Sequence, residues 1–250
     1  MSDYKLLTGY VRRSLKMLTR HPGSSSLRGL IRDFQPWRRS LANKTTPAQE
    51  GLPWLTFGAI RFLDGWLNAG MRVFEYGCGG STIFLAARVK EVVSVEHDEG
   101  WARHVVQQFE RSGQTLPQIL MLPPEPDARA GIADRSASDP TEYLSANASY
   151  QGQSFRRYAA AIDSYADGYF DLVIVDGRAR PSCIRHAIPK VRAGGLLLVD
   201  NVERDYYEPA QAGLAQQGWR KREFHGPGPC LALFFCTRIW ESLPGGAPRR

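Results

Sequence analysis

The segment Val73-Phe-Glu75-Tyr76-Gly77-Cys-Gly79-Gly80-Ser81-Thr82, followed at residues 92–98 by Val-Val-Ser-Val-Glu96-His97-Asp98, decides the fold of this 250-residue chain. An apolar run ending in an acid leads into a glycine-rich turn and a small-residue helix start. A second apolar run then ends in another acid. That order describes a β-α-β unit holding a nucleoside-type cofactor. Glycine reaches positive φ without steric cost, so the turn backbone can lie against a ligand, and N–H groups opening the next helix attract an anionic group. Glu96, closing the second strand, is placed to accept hydrogen bonds from the two ribose hydroxyls.

A dinucleotide site shares this outline, and the details separate the two. The Gly-x-Gly-x-x-Gly fingerprint counted from Gly77 puts Thr82 where its third glycine belongs. Glu75, two residues before the first glycine, would repel a pyrophosphate. A ligand with a cationic amino group and a carboxylate fits better. At these residues the chain resembles the class I S-adenosylmethionine-dependent methyltransferases, whose first motif reads acid-x-Gly-x-Gly, here Glu75, Gly77 and Gly79. The resemblance implies that the loop wraps the methionine end of S-adenosyl-L-methionine and that Glu96 holds its ribose. The cofactor-binding set is then Glu75, Tyr76, Gly77, Gly79, Ser81, Glu96 and His97. An NAD-dependent oxidoreductase built on the same unit stays as the alternative.

Apolar runs of strand length alternate with helical periods along the rest of the chain, the mark of a parallel sheet covered on both faces. Strands are expected at 71–76, 92–96, 119–122, 170–175 and 194–201, and helices at 54–67, 81–88, 101–111, 155–165, 181–191 and 207–217. The runs 219–224 and 231–236 flank the turn Gly226-Pro-Gly-Pro229 and resemble the hairpin that closes methyltransferase sheets. The expected fold is α/β, a Rossmann-like seven-stranded, mostly parallel sheet with helices on both faces and a C-terminal antiparallel strand. Three regions follow: a basic helical extension and linker at 1–53, the cofactor-binding domain at 54–237, and a tail at 238–250. Between residues 123 and 154 periodicity fails. A region of that length is a functional lid or an insertion, and its expected role is to cover the acceptor site.

A second cluster falls at the ends of the fourth and fifth strands, where an open parallel sheet forms its ligand crevice. Asp176, Asp200 and Asn201 offer three oxygen-bearing side chains, a donor set suited to a hard divalent cation that would acidify a bound hydroxyl. The arrangement resembles the catechol and caffeoyl-coenzyme A O-methyltransferase branch, where Asp…Asp-Asn binds magnesium or calcium. On that resemblance the three residues are the catalytic candidates and the metal ligands, with Mg2+ or another divalent cation as second cofactor. Where that branch carries a catalytic lysine, this chain has Ala179 between Arg178 and Arg180. Arginine stays protonated and takes no proton, but it can fix a carboxylate or phosphate through paired hydrogen bonds. Tyr206 and Tyr207 can line an acceptor pocket, and Asp205 can instead cap a helix. His97 and His186 are the near-neutral bases at hand.

Charge is concentrated at one end. Residues 1–50 hold ten Lys and Arg against three acids, leaving 22 of each sign elsewhere, so the net +7 belongs to the N-terminal fifth. Leu6, Leu7, Tyr10, Val11, Leu15 and Leu18 recur at helical spacing beside Lys5, Arg12, Arg13, Lys16 and Arg20. Such a helix either lies on an anionic bilayer surface or packs on the domain with its arginines solvated. The Arg- and Ser-rich start also resembles a transit peptide without a marked cleavage site. Nucleic acid is disfavoured as a partner, because the basic residues join no base-reading module. No run approaches the roughly 18 apolar residues of a spanning helix. Four cysteines without a Cys-x-x-Cys pair suit a reducing, cytoplasmic compartment and argue against zinc. The chain lacks the Asp/Asn-Pro-Pro-aromatic motif of DNA amino-methylating enzymes. The expected activity is O-methylation of a small hydroxylated metabolite or saccharide, with oligomeric state open. A membrane-surface binding protein on a degenerate methyltransferase fold is the further alternative.

Overall fold

A computed structural model describes residues 3–23, 26–43 and 45–243. The elements in chain order are α1 (Asp3–Arg20), α2 (Leu27–Asn43), α3 (Pro47–Glu50), α4 (Phe57–Trp66), β1 (Arg72–Tyr76), α5 (Gly80–Ala86), β2 (Glu91–Glu96), α6 (Glu99–Ser112) and β3 (Gln118–Met121). There follow β4 (Glu125–Pro126), β5 (Gln153–Ser154), α7 (Arg156–Ala160), β6 (Phe170–Val175), α8 (Arg180–Ala187), β7 (Val191–Asp200), α9 (Glu208–Gln211), β8 (Arg220–Pro227) and β9 (Phe234–Glu241). Seven strands form one sheet in the order β3-β2-β1-β6-β7-β9-β8. All neighbours are parallel except β9, which runs antiparallel to both β7 and β8.

This topology fixes the site. The chain moves outward from β1 to β3 and then returns to lay β6 on the other side of β1. At such a reversal the connections leave in opposite directions and a crevice opens beyond the carboxyl ends of the strands. Register brings Tyr76 level with Val95 and Val175, and Val175 level with Val199. The next residues, Gly77, Glu96, Asp176 and Asp200, therefore emerge at one edge of the sheet.

The central strands β1, β6 and β7 are largely apolar because both of their faces are covered. Phe74, Tyr76, Val173 and Val175 point into one layer with Tyr158 and Ile184, while Val73, Leu172 and Ile174 point into the other with Leu63 and Leu85. Burying each such side chain contributes roughly 2 kcal/mol.

Several boundaries differ from expectation. Helix α4 begins at Phe57, where the Thr56 hydroxyl accepts the Ala59 N–H as a cap; Trp54 is left outside it. The helix expected at 207–217 ends at Gln211, whose side chain turns into the core to accept hydrogen bonds from Arg238 and Trp240. Gly213 follows it, a residue that costs about 1 kcal/mol against Ala inside a helix. The last strand, expected at 231–236, is Phe234–Glu241: Ile239 and Trp240 are buried and pair with Leu198 and Leu197, so the sheet runs past residue 237. Residues 244–250 of the expected tail lie outside the described residues, as do 1, 2, 24, 25 and 44 of the extension.

The extension is joined to the domain core. Tyr10 and Trp37 are buried in the same cluster as Leu55 and Leu63. The Tyr10 hydroxyl donates to the Leu30 carbonyl at 2.6 Å, and the Trp37 indole N–H donates to Leu231 O at 2.8 Å. One face of α1 is left uncovered: Tyr4, Leu7, Val11 and Leu15 are exposed. No helix among the described residues is long and apolar enough to cross a membrane.

The aperiodic region is built as a closed loop. Strands β4 and β5 pair antiparallel at its neck. Inside it, Arg135 donates to Asp127 at 2.6 Å and to Glu142 at 2.5 Å. Its far end is tied to α8, the Tyr143 N–H donating to Ser182 Oγ at 3.1 Å.

Candidate active site

Two adjoining cavities open at the carboxyl edge of the sheet. The first, about 370 Å³, is lined by the β1–α5 loop from Gly77 to Ser81, by Glu96, His97 and Asp98 after β2, by Trp54 and Trp101, and by Asp176 to Arg178 after β6. The second, about 260 Å³, shares Gly177 and Arg178 with it and continues between residues 144–147 and the segment Arg204–Tyr207.

Glycine is required by contact as well as by conformation in this loop. Gly77 has φ +96°. A Cβ on Gly80 would sit 2.0 Å from Leu52 O and 2.5 Å from Pro47 O, and one on Gly177 would sit 2.0 Å from the Tyr158 hydroxyl. The first of these contacts explains α3: the Thr46 capping box turns the chain there and lays its carbonyls against the start of α5.

The two glutamates do different work. Glu96 reaches the cavity wall. Its Oε1 accepts the N–H groups of His97 (2.7 Å) and Asp98 (2.9 Å), and its Oε2 accepts Cys78 N–H at 3.1 Å. Burial would raise its pKa, but these bonds and His97 Nδ1, 2.6 Å from Oε1, hold it below the usual carboxylate value. Glu96 therefore stays ionised with lone pairs left for ligand hydroxyls. Glu75 lies beneath the loop, fully buried, accepting hydrogen bonds from Ser81 Oγ (2.7 Å) and Ser94 Oγ (2.6 Å). Burial pushes its pKa up to about 7 against the pull of those bonds. Its carboxyl holds the loop to β2 and does not line the cavity.

Of the expected cofactor residues, Gly77, Gly79, Ser81, Glu96 and His97 line the first cavity. Tyr76 is buried in the core, its hydroxyl donating to Ala159 O at 2.7 Å. His97 is held by Tyr150, 2.7 Å from Nε2. His186, between Tyr143 and Asp163, is a tie for the long loop.

The three-oxygen metal site is not formed, and the reason is Arg180. Ala179 takes φ +45°, a turn that sends the next side chain inward. The Arg180 guanidinium then uses all five N–H groups. Nε donates to Gly177 O (3.0 Å), Nη1 to Asp200 O (2.6 Å) and Asn201 Oδ1 (3.2 Å), and Nη2 to Asp176 O (2.9 Å) and Asp176 Oδ1 (2.8 Å). A fixed cation thus stands among the oxygens expected to hold Mg2+. Asp200 points elsewhere, accepting from Thr237 Oγ1 at 2.5 Å, and burial keeps its pKa well above the ordinary value. No group of three or more His, Cys, Asp or Glu placed to hold a metal ion exists among the described residues. The donor set does not fit a divalent cation.

Asp176 lines the first cavity, whereas Asp200 and Asn201 line neither. Asp176 Oδ2 carries no hydrogen bond among the described residues, and burial raises the pKa of this carboxyl despite Arg180, Arg204 and Arg178 nearby. Tyr206 and Tyr207 line the second cavity. Asp205 begins a short 3-10 turn without capping it. Trp54, Trp101 and Gly80 also line the first cavity. The Gly79-Gly80-Ser81 run signals Gly80, and the apolar segment opening at Trp54 is placed by its pattern over one face or the cofactor mouth, while nothing in local sequence signals Trp101.

Comparison with known proteins agrees with this architecture. Residues 74–202 match the methyltransferase domain family, a little over half of the chain. The O-methyltransferase from Bacillus cereus solved with S-adenosylhomocysteine (SAH) superposes with a TM-score of 0.53 at 16% identity, covering 83% of this chain and 90% of that one. The O-methyltransferase TomG from Streptomyces achromogenes, solved with S-adenosylmethionine and involved in tomaymycin synthesis, gives 0.51 at 16% identity, covering 82% and 90%. No curated protein matches in sequence. The chain belongs to the methyltransferase domain family, on the class I S-adenosylmethionine-dependent fold.

Proposed function

We propose that this protein is an S-adenosylmethionine-dependent O-methyltransferase acting on a small hydroxylated molecule, without a catalytic metal. The carrying observation is an ionised Glu96 and a glycine cradle on one side of a cavity whose other end meets Asp176. S-adenosylmethionine, when bound, would supply a methyl group on a sulfonium: the acceptor oxygen would bond to the methyl carbon as the carbon–sulfur bond breaks and its electron pair stays on sulfur. The residues present fit that ligand: Glu96 would accept its ribose hydroxyls, and Trp54 and Trp101 supply aromatic wall. At the far end, Asp176 Oδ2 is free to take the acceptor's hydroxyl proton while Oδ1 stays fixed on Arg180. A base held in place contributes on the order of 10² to 10⁴ in rate, and alignment of the two reactants supplies much of the rest.

The test is transfer of tritiated methyl from S-adenosylmethionine to a panel of small hydroxylated compounds by the full chain. Label is expected on acceptor oxygen, and Asp176→Asn is expected to lower turnover about a hundredfold or more. Label found only on nitrogen, on nucleic acid or on protein would sink the reading.

A second reading concerns α1 alone. Its exposed Tyr4, Leu7, Val11 and Leu15 lie on one stripe, and Lys5, Arg12 and Lys16 are exposed beside them. Apolar stripe and basic flank together suit the surface of an anionic bilayer. The full chain is expected to sediment with phosphatidylserine vesicles, and Leu7→Asp with Val11→Asp to abolish this. Equal sedimentation by wild type and variant refutes it.

A further inference from the structure

Resting on the methyltransferase reading, we infer that the second cavity is an oxyanion subsite, which selects acceptors bearing a carboxylate or phosphoryl group and holds that group between Arg178 and Arg204. Three guanidinium groups, those of Arg178, Arg180 and Arg204, come close enough to Asp176 to oppose the burial that raises its pKa. Arg180 is saturated by its five acceptors and balanced by Asp176, and so serves as framework. Arg178 and Arg204 differ. Arg178 donates to His97 Nε2 at 3.3 Å and lies 5.4 Å over the Tyr150 ring. Arg204 donates to the Tyr207 hydroxyl at 3.3 Å and lies against that of Tyr206. Neither forms an ion pair with a carboxylate among the described residues.

The cavity they share has a matching lining. Its walls carry Ser145, Asn147, Tyr206 and Tyr207 beside the arginines, and no Asp or Glu. Two unpaired cations of one sign facing a small polar space repel each other, and an anion relieves that repulsion. Guanidinium is also the side chain whose paired N–H groups match carboxylate and phosphate oxygens. Position adds the link to chemistry. Arg178 lines both cavities, so an oxyanion on it sets the remainder of the molecule against Asp176, where the hydroxyl proton would be taken. Residues 144–147 of the long loop form the opposite wall, which gives that loop a role in acceptor choice.

The experiment uses the full chain saturated with SAH and titrated, at constant ionic strength, with inorganic phosphate, with acetate, and with neutral acetamide. SAH uptake is measured by calorimetry in the same preparation. Saturable uptake of phosphate or acetate is expected, with acetamide silent; the preferred anion tells phosphoryl from carboxylate acceptors. Arg204→Gln is expected to weaken that uptake at least tenfold and Arg204→Lys to recover part of it, with SAH affinity unchanged in both. Uptake by the glutamine variant equal to wild type, or no saturable anion uptake in SAH-loaded protein, would overturn the subsite while leaving the methyltransferase reading standing. Failure to take up SAH at all would overturn the methyltransferase reading itself.

Discussion

Glu75 shows how one residue can belong to a cofactor motif without facing the cofactor. Its carboxyl is sealed under the β1–α5 loop, with Ser81 and Ser94 as donors, and its pKa stands at about 7 against an ordinary 4.5. A carboxyl whose pKa rises on folding binds its proton more tightly in the folded state. It therefore favours folding fully below pH 4.5, and that contribution is lost as pH rises through 7. The loss amounts to roughly 3 kcal/mol at most. Denaturant unfolding of the ligand-free chain between pH 5 and 8 should show Glu75→Gln flattening the decline seen in wild type. Parallel curves for the two proteins would mean that Glu75 does not titrate in this range.

Between elements, the decisive contact is the Arg180 clasp, which joins the ends of β6 and β7 through α8. Replacing it with Met leaves buried oxygens without donors and is expected to cost about 3–5 kcal/mol of stability, as removing one partner of a buried pair does. Because a guanidinium fills the place among these oxygens, methyl transfer by wild type is expected to be the same in EDTA and in magnesium; a tenfold loss in EDTA restored by magnesium would contradict the clasp's role. The strand ends carrying Asp176, Asp200 and Asn201 were legible in sequence, since each closes an apolar run. The inward turn of Arg180 was not, because it depends on Ala179 adopting a left-handed conformation that alanine does not advertise. Tyr206 and Tyr207 could be foreseen at the acceptor pocket, with Arg204 two residues before them; that Arg204 shares a cavity with Arg178 follows only from tertiary packing.

At the scale of the molecule, the parallel sheet and its crevice followed from periodicity and the glycine loop, because burial on both faces forces continuous apolar strands. The integration of the extension did not. Tyr10 and Trp37 meet partners near residues 231 and 234, and contacts across such a separation leave no local pattern. Helices α1 and α2 thereby brace the β8–β9 hairpin while α3, in the linker behind them, sets the Pro47 carbonyl against Gly80. The β1–α5 loop, the long loop and the N-terminal helices are thus packed on one domain around the sheet. The most direct measurement is calorimetric titration of the full chain with SAH, wild type beside Glu96→Ala. One-to-one uptake is expected, weakened by about 1.5–3 kcal/mol in the variant, the worth of hydrogen bonds to a charged group. Folded wild-type protein that takes up no SAH, or that binds it equally well without Glu96, would contradict the assignment.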